Sequence, residues 1–376
     1  MQSVLNEILS LRNQKPLIVD YQNRNRYRLI AREDDGTRTA YCFSTPIYNL
    51  ESRKLIDLSF GLENGEIYAV GSNTNITISD RVQMQNAEGT CFIDLPQNPT
   101  MKSVKEVQFG SGVIYATTNG VAIKACIKET GRFSFTFEVQ QPFMNIRQNE
   151  KYFSLMREKF RPFVTFSCIG TLDSAGNLIA PAKMSYQKLS DRKYMLTISA
   201  TSPIGSSVLF EGNLYENKLF QDTTVESLNP KENNAFGSTA FIGNTALFGL
   251  QWLYSRPDYS KISELMDKRI NKVILHVPKY NKSNVEMNAF RVVARFCSFG
   301  SNWDNKIESG NIISSTTAED GYQSVDLTSL VIDPRTRTIT KSEGLILKPK
   351  VQNSGFSAVA TGDSYYAPQI LEVNYR

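Results

Sequence analysis

The chain has 376 residues, a length that allows two or three domains, and 41% of them are hydrophobic, which is enough for buried cores. The formal net charge is +5, and lysine and arginine are interleaved with acidic residues except in one basic cluster at 23–28, NRNRYR. Because nucleic-acid-binding surfaces concentrate positive charge, we predict no nucleic-acid partner. The cluster is interpreted as a solvated strand edge, with a phosphate-binding patch as the alternative.

The N-terminal stretch predicts a short amphipathic helix, because Val4, Ile8 and Leu11 recur at helical spacing. A helix of about 11 residues is marginal alone in water, so these side chains need a partner surface. That surface could belong to the protein's own domain, to a sister subunit or to a larger scaffold. We expect one of the last two, which makes the three residues candidates for an assembly contact.

Two features of the sequence favour folding in the cytoplasm. The N-terminal stretch lacks the basic head and apolar core of a secretory signal, and no hydrophobic run reaches the about 18 residues of a membrane-spanning helix. The five cysteines are scattered, and none forms a CxxC motif. Most lie in apolar runs, so we predict buried, unpaired thiols in a reducing compartment and no membrane span.

Alternation with a period of two dominates the rest of the chain and predicts β-strands. Residues 132–139, RFSFTFEV, show it most clearly, with phenylalanines on one face and polar residues on the other. The pairs Asn64-Gly65 and Asn119-Gly120 each stand between two such runs, which is typical of a tight hairpin turn. Many short strands at intervals of about ten residues indicate β-sandwiches.

Helical character is otherwise confined to 149–160 and 259–269. We therefore predict an all-β fold, mainly antiparallel β-sandwiches, with an N-terminal helix and one or two short helices. Three segments are expected along the chain: a β-rich anchoring domain at 1–140, a second β-rich segment at 141–228, and a C-terminal sandwich at 229–376.

The sequence presents no recognisable catalytic or metal-binding motif. The single histidine, His276, lies within a strand-like run and is interpreted as an ordinary strand residue. Nucleophile-elbow, phosphate-loop and zinc-protease motifs are absent. A glycosidase needs only two carboxylates, but no pair of acidic residues stands out from ordinary surface carboxylates. We predict no enzyme activity, no cofactor and no catalytic metal, and leave a structural calcium open.

Aromatic residues are the remaining candidates for a binding site. Trp252 alternates with apolar residues on one strand face and is predicted to be a core residue. Trp303 lies in a polar stretch at 299–311, where it either plugs the end of a sandwich or stacks on a sugar ring. Tyr365 and Tyr366 carry the same two interpretations. These three residues are the candidate glycan contacts.

Six strand-like pieces follow one another through the C-terminal third: ALFGLQWLY (246–254), INKVILHV (270–277), FRVVARFCSFGSNW (290–303), YQSVDLTSLV (322–331), EGLILKPK (343–350) and SYYAPQILEVNY (364–375). In this order they resemble the strands of DNRLRE-type modules, β-sandwiches of carbohydrate-binding-module character. Two features depart from that family: no second tryptophan follows Trp303, and Val273 stands where the family has alanine. The coherent alternation of these strands and the size of the segment predict an independently stable module from about residue 236 to 376.

The polar stretch at 221–252 resembles the entry to such a module in phage-encoded structural proteins. This resemblance implies a non-enzymatic component of a phage or phage tail-like particle, located in the virion and assembled in the host cytoplasm. We expect a homo-oligomer that contacts other particle proteins and displays its C-terminal sandwich for surface or glycan attachment. The alternative is a cell-surface or secreted carbohydrate-binding protein, or a polysaccharide-active enzyme. Capsid, tail or baseplate location, copy number, symmetry and the glycan stay open.

Overall fold

The computed structural model describes residues 4–23, 25, 27–44, 47, 76–86, 89–94, 104–107, 110–117, 120–126, 131–139, 145–173, 175, 177–200, 207–214, 219–283, 285–316, 321–353, 355–364 and 367–376. These residues form mainly antiparallel β-sheets with three short α-helices and one 3-10 helix. The predicted fold class is confirmed. None of the helices in this described part is long and apolar enough to cross a membrane.

The helices are α1 (Val4–Leu11), α2 (Ser263–Met266), α3 (Thr328–Val331) and the 3-10 helix Tyr259–Ile262. The first strands are β1 (Ile18–Val19), β2 (Arg28–Arg32), β3 (Arg38–Phe43), β4 (Ile76–Asn86), β5 (Gly89–Asp94), β6 (Val104–Val107), β7 (Gly110–Thr117), β8 (Gly120–Cys126), β9 (Gly131–Val139), β10 (Asn145–Gln148), β11 (Tyr152–Glu158), β12 (Arg161–Leu172) and β13 (Leu178–Ala180). The remaining strands are β14 (Lys183–Lys188), β15 (Lys193–Ala200), β16 (Ser207–Leu214), β17 (Phe220–Glu226), β18 (Thr239–Thr245), β19 (Gly249–Pro257), β20 (Ile270–Pro278), β21 (Met287–Val292), β22 (Ser309–Ser315), β23 (Tyr322–Asp326), β24 (Leu345–Pro349), β25 (Phe356–Ala360) and β26 (Ile370–Tyr375).

The chain divides into two compact units. The terminal unit contains residues 1–60, 218–235 and 239–376, and the central unit contains 61–217 and 236–238. The boundaries expected near 140 and 228 do not coincide with these units, because the first expected segment contributes residues to both.

The central unit contains an eight-stranded sheet and a five-stranded sheet. The order of the first is β10-β11-β12-β16-β8-β7-β6, with β13 paired to β12, and that of the second is β14-β15-β9-β4-β5. The predicted strand at 132–139 is present as β9. Strands β7 and β8 pair with Thr117 opposite Gly120, as expected for a hairpin there. Asn119 itself and the Asn64-Gly65 turn lie outside the described residues.

The helix expected at 149–160 is wrong, because this segment forms strand β11 between β10 and β12. The Asn149 side chain accepts hydrogen bonds from the backbone N–H groups of Lys151 (2.8 Å) and Tyr152 (3.1 Å). A helix N-cap uses similar bonds, but here they close the β10–β11 turn. Residues 151–156 are all buried, so side chains on both faces of the strand have neighbours. The pairing of β11 with β10 and β12 outweighs the helical spacing of its apolar residues.

The terminal unit is a sandwich-like pair of sheets around one apolar core. The six-stranded sheet has the order β1-β2-β3-β26-β20-β23, and the seven-stranded sheet the order β22-β21-β24-β19-β18-β25, with β17 paired to β19. Core side chains come from both sheets, for example Leu275 and Val373 from the first and Leu253 and Leu347 from the second. Helical structure within the expected 259–269 region is present, as the 3-10 helix followed directly by α2.

The N-terminal strands complete the same sandwich that the C-terminal strands build. Strand β3 pairs along its whole length with β26, from Arg38 opposite Tyr375 to Phe43 opposite Ile370. Ala40 contributes to the main core from this position. The sandwich of the terminal unit therefore uses residues from both ends of the chain.

Helix α1 packs on the outer face of the six-stranded sheet. Ile8 is fully buried there against Leu29, Tyr41 and Phe43, and Leu11 packs against the same cluster. The side chain of Val4 lies outside the described residues. For Ile8 and Leu11 the partner surface is thus the protein's own sheet, where the sequence analysis expected a sister subunit or a scaffold.

The structure corrects one expectation about a cysteine and one about an arginine. Cys42 and Cys168 are buried and free, as expected, and burial raises the pKa of each thiol to about 12. Cys297 is free but exposed, where a buried thiol was expected. Within the basic cluster, Arg28 is no solvated edge residue. Its side chain is 5% exposed and forms an ion pair with Glu264.

Candidate functional site

The most distinctive surface of the terminal unit is the outer face of the seven-stranded sheet. Leu253 of β19 lies opposite Leu347 of β24, which lies opposite Ala289 of β21, and all three belong to the core. Because successive side chains of a strand point to opposite faces, their neighbours Trp252, Lys348 and Phe290 lie on the outer face.

A loop between β21 and β22 covers part of this outer face and brings in Trp303. The rings of Trp252 and Trp303 lie with centroids 4.8 Å apart and planes tilted by 47°. Both indoles are half-buried. We call the set Trp252, Phe290, Trp303, Lys306 and Lys348 the tryptophan face.

Several hydrogen bonds hold this loop in place. The backbone N–H of Asn302 donates to Oδ1 of Asn305 (2.8 Å), and the backbone N–H of Asn305 donates to Oδ1 of Asn302 (3.1 Å).

Other hydrogen bonds tie the loop to the rest of the terminal unit. The Tyr254 hydroxyl donates to the carbonyl of Ile307 at 2.6 Å. Asn233 donates from its side-chain amide to the carbonyls of Ser298 and Ser301, both at 2.7 Å. Trp303 therefore occupies a fixed position.

A small apolar cluster supports the tryptophan face from below. Its buried members are Val225, Tyr254, Val292, Phe296 and Ile346, and the two tryptophans, Phe290 and Ile307 pack against them. Burial raises the pKa of the Tyr254 hydroxyl, so it stays a donor at neutral pH. The expectation that Trp252 is a core residue is wrong. The core between the two sheets lies on the side of β19 to which Leu253 points, and Trp252 is half-buried on the opposite, outer side.

Two lysines lie over the aromatic rings. Nζ of Lys348 is 3.7 Å from the centroid of Trp252 and 5.1 Å from that of Phe290. Nζ of Lys306 is 4.5 Å from the centroid of Trp303 and 5.8 Å from that of Trp252. These distances are typical of cation–π contacts. The tryptophan face thus combines apolar rings with two positive charges.

Desolvation by partial burial lowers the pKa of Lys348. The neighbouring charge of Glu308 opposes this shift, and that of Lys306 adds to it. Both lysines remain half-buried beside the rings. Sequence reasoning singled out Trp303 but neither lysine, because their convergence depends on the register of β24 and the course of the loop.

The other predicted site residues do not join this surface within the described structure. Tyr365 and Tyr366 lie outside the described residues. Ile8 and Leu11 lie on helix α1, which packs on the other sheet of the terminal unit. Of the three candidate glycan contacts, Trp303 alone is placed.

The single histidine links three neighbouring strands of the six-stranded sheet. Nδ1 of His276 lies 2.9 Å from Oγ of Ser324 on β23, and its Nε2 lies 2.9 Å from Oε2 of Glu372 on β26. If the Glu372 carboxylate accepts a hydrogen bond from Nε2–H, then Nδ1 accepts one from the Ser324 hydroxyl. The three side chains are then connected in the order serine, histidine, carboxylate, as in a catalytic triad. His276 is 5% exposed, and the sequence analysis did not anticipate these partners.

In the part of the chain that the structure describes, no group of three or more histidine, cysteine, aspartate or glutamate side chains is arranged to hold a metal ion. No protein-family model matches the chain, and none of the curated proteins is detectably similar to it.

Proposed function

We propose that this protein is a non-enzymatic attachment protein whose terminal unit binds carbohydrate on the tryptophan face. The observation that carries the proposal is the Trp252–Trp303 pair, with ring centroids 4.8 Å apart on the outer face of a sheet. Sugar rings present apolar C–H faces that pack on indole, and half-buried aromatic surfaces mark binding sites on soluble proteins.

Polar groups at the edge of the tryptophan face complement this role. Glu308 and Asn305 are exposed on the same loop as Trp303. Sugar hydroxyls need such hydrogen-bond partners beside the stacking rings, because a small number of placed polar groups fixes the orientation of a ligand.

The resemblance to DNRLRE-type modules and to phage structural proteins supports the setting that we propose. In that setting the chain is a homo-oligomeric component of a phage or phage tail-like particle and contacts other particle proteins. A cell-surface or secreted carbohydrate-binding protein is the alternative setting. Co-sedimentation of the full chain with particles from a host lysate supports the first, and a chain that is always monomeric and particle-free contradicts it.

The carbohydrate proposal is tested by titrating the full chain against a panel of polysaccharides. We expect Trp303→Ala to weaken binding by about five- to thirtyfold, because the loss of one stacking contact is worth on the order of 1–2 kcal/mol. Phe160→Ala is the matched control, since Phe160 is an aromatic side chain that is 45% exposed in the central unit. Equal binding by wild type and Trp303→Ala, or no binding to any polysaccharide, contradicts the proposal.

The non-enzymatic part of the proposal is tested at Ser324. We interpret the contacts of His276 as structural, since they join β23, β20 and β26. A fluorophosphonate probe is then expected to label Ser324 no faster than the exposed Ser329. Stoichiometric labelling of Ser324 that is lost in His276→Ala would overturn this part and leave the binding proposal standing.

A further inference from the structure

Among the residues that the structure describes, the two lysines of the tryptophan face have no carboxylate partner. Nζ of Lys348 donates to Oγ of Ser309 at 3.0 Å, and Nζ of Lys306 donates to the carbonyl of Trp303 at 3.1 Å. Both acceptors are neutral oxygens. Among the described residues neither ammonium group lies in an ion pair.

A third lysine nearby in the chain shows the contrast. Lys350, just past the end of β24 and two positions after Lys348, forms an ion pair with Glu286 at 2.7 Å. Lys348 is instead held beside Trp252. The exposed Glu308 acts on Lys348 through its charge but is counteracted by Lys306. The aromatic surface therefore carries two positive charges that no carboxylate of the described part of the chain pairs with.

The placement of these charges relative to the rings suits one class of ligand. Both ammonium groups lie within 5.8 Å of the Trp252 centroid. A sugar ring stacked on the indoles would bring an anionic substituent, which is attached directly to the ring or to its exocyclic carbon, into reach of both lysines. Lysine carries its charge on a flexible four-carbon stem, so each ammonium can leave the ring face to meet the incoming anion.

We infer that the tryptophan face binds a saccharide that carries anionic groups, carboxylate or phosphate, with the sugar ring on the two indoles and the anionic group between Lys306 and Lys348. This inference rests on the proposed carbohydrate-binding function and names its ligand class. The positive charges supply the attraction and the selection against neutral sugars, while the indoles supply the apolar contact.

The inference is tested with the full chain and four polymers. Polygalacturonate and its fully methyl-esterified form share one backbone and differ in charge, phosphomannan is a polysaccharide that carries phosphate, and poly-L-glutamate is a carboxylate polymer without sugar rings. We expect polygalacturonate or phosphomannan to bind about tenfold or more tightly than the ester, and the difference to shrink from about 20 mM to about 500 mM salt. The polymer that binds better identifies the anionic group as carboxylate or phosphate.

Variants assign the effect to the two lysines. Lys348→Met and Lys306→Met keep an unbranched side chain over the rings and remove the charge, so each should lose most of the preference for the anionic polymer. Lys348→Arg should retain it. Lys350→Met is the matched control, because it removes the same charge two positions further along the chain, at a lysine that already has a carboxylate partner. Circular dichroism and thermal unfolding verify that each variant is folded.

The possible failures are distinguishable. Equal binding of polygalacturonate, phosphomannan and the neutral ester, with all three weakened by Trp303→Ala, refutes the inference and leaves the carbohydrate proposal intact. Binding of poly-L-glutamate as tight as that of the anionic saccharides also refutes the inference, because charge alone would then account for it. Absence of binding to every polymer refutes both.

Discussion

Trp252 and Trp303 lie with ring centroids 4.8 Å apart, although one belongs to strand β19 and the other to the loop between β21 and β22. They are the only two tryptophans of the chain. The intrinsic tryptophan fluorescence of the protein therefore reports on a single surface, and each structural statement about that surface can be tested by its emission.

The hydroxyl of Tyr254 should hold the loop over the sheet through its bond to the carbonyl of Ile307. Tyr254→Phe removes the donor, and we expect it to lower the free energy of unfolding by about 1–2 kcal/mol. It should also increase quenching of tryptophan emission by acrylamide. Tyr259→Phe is the matched control, because Tyr259 is a buried tyrosine of the same unit whose hydroxyl bonds to Ser342. That variant should lose stability without a change in quenching.

A fragment of residues 236–376 should not fold by itself, contrary to what its strand pattern indicates. It lacks β1–β3, so β26 would lose the partner with which it pairs from Ile370 to Tyr375. It also lacks β17, the partner of β19. We expect poor solubility or a non-cooperative thermal transition, and rescue of the fragment 219–376 by the added peptide 1–47. A cooperative unfolding transition of 236–376 alone would show that the N-terminal strands are dispensable.

Helix α1 should stabilise the isolated chain. Ile8 is 0% exposed, and Ile8→Ala is expected to cost about 2–5 kcal/mol in urea unfolding because it leaves a cavity. Ile18→Ala, at a side chain that is 56% exposed, should change stability by no more than about 0.5 kcal/mol. If Ile8→Ala leaves the isolated chain unchanged but prevents assembly, the helix packs on a sister subunit or scaffold as the sequence analysis expected.

The ion pair between Arg12, which follows helix α1, and Glu33, in the hairpin of β2 and β3, should make stability depend on pH. Arg12 forms two bonds with the carboxylate of Glu33, Nη1 to Oε1 at 2.6 Å and Nη2 to Oε2 at 2.8 Å. The hydrogen-bonded Arg12 guanidinium holds the pKa of Glu33 below its usual value, against the opposing effect of burial. A lowered folded-state pKa stabilises the fold above the unfolded value of about 4.3 and stops doing so as the pH falls through the folded value.

We therefore expect Glu33→Gln to lower the free energy of unfolding at pH 7, and the difference from the wild type to shrink as the pH falls below about 4.3 and to vanish below the folded-state pKa of Glu33. Chemical unfolding at a series of pH values measures the difference. Glu286→Gln is the control, since its pair with Lys350 is exposed and such pairs contribute little. A difference for Glu33→Gln that stays constant down to pH 2 would contradict the assignment.

Local patterns were sufficient for the class of fold and for most strands. Alternation with a period of two depends only on adjacent residues, so 132–139 was readable as a strand without knowledge of its partners. The N-terminal helix was readable for the same reason, since Ile8 and Leu11 follow the helical period. The apolar spacing of the segment 149–160 suits both the helical period and the strand period, so the prediction of a helix was wrong. Only the pairing of this segment between β10 and β12 makes it a strand.

Partners and faces were decided only by the tertiary structure. The sequence of residues 38–43 does not indicate that they pair with 370–375. Strand pairing depends on how the side-chain patterns of two distant segments fit into one core. The tryptophan face depends on the same choice. Trp252 points away from the core because Leu253 points into it, and Trp303 and Lys348 reach it through a loop and a strand from elsewhere in the chain. The sequence supplies the residue types, and long-range packing selects which of them meet.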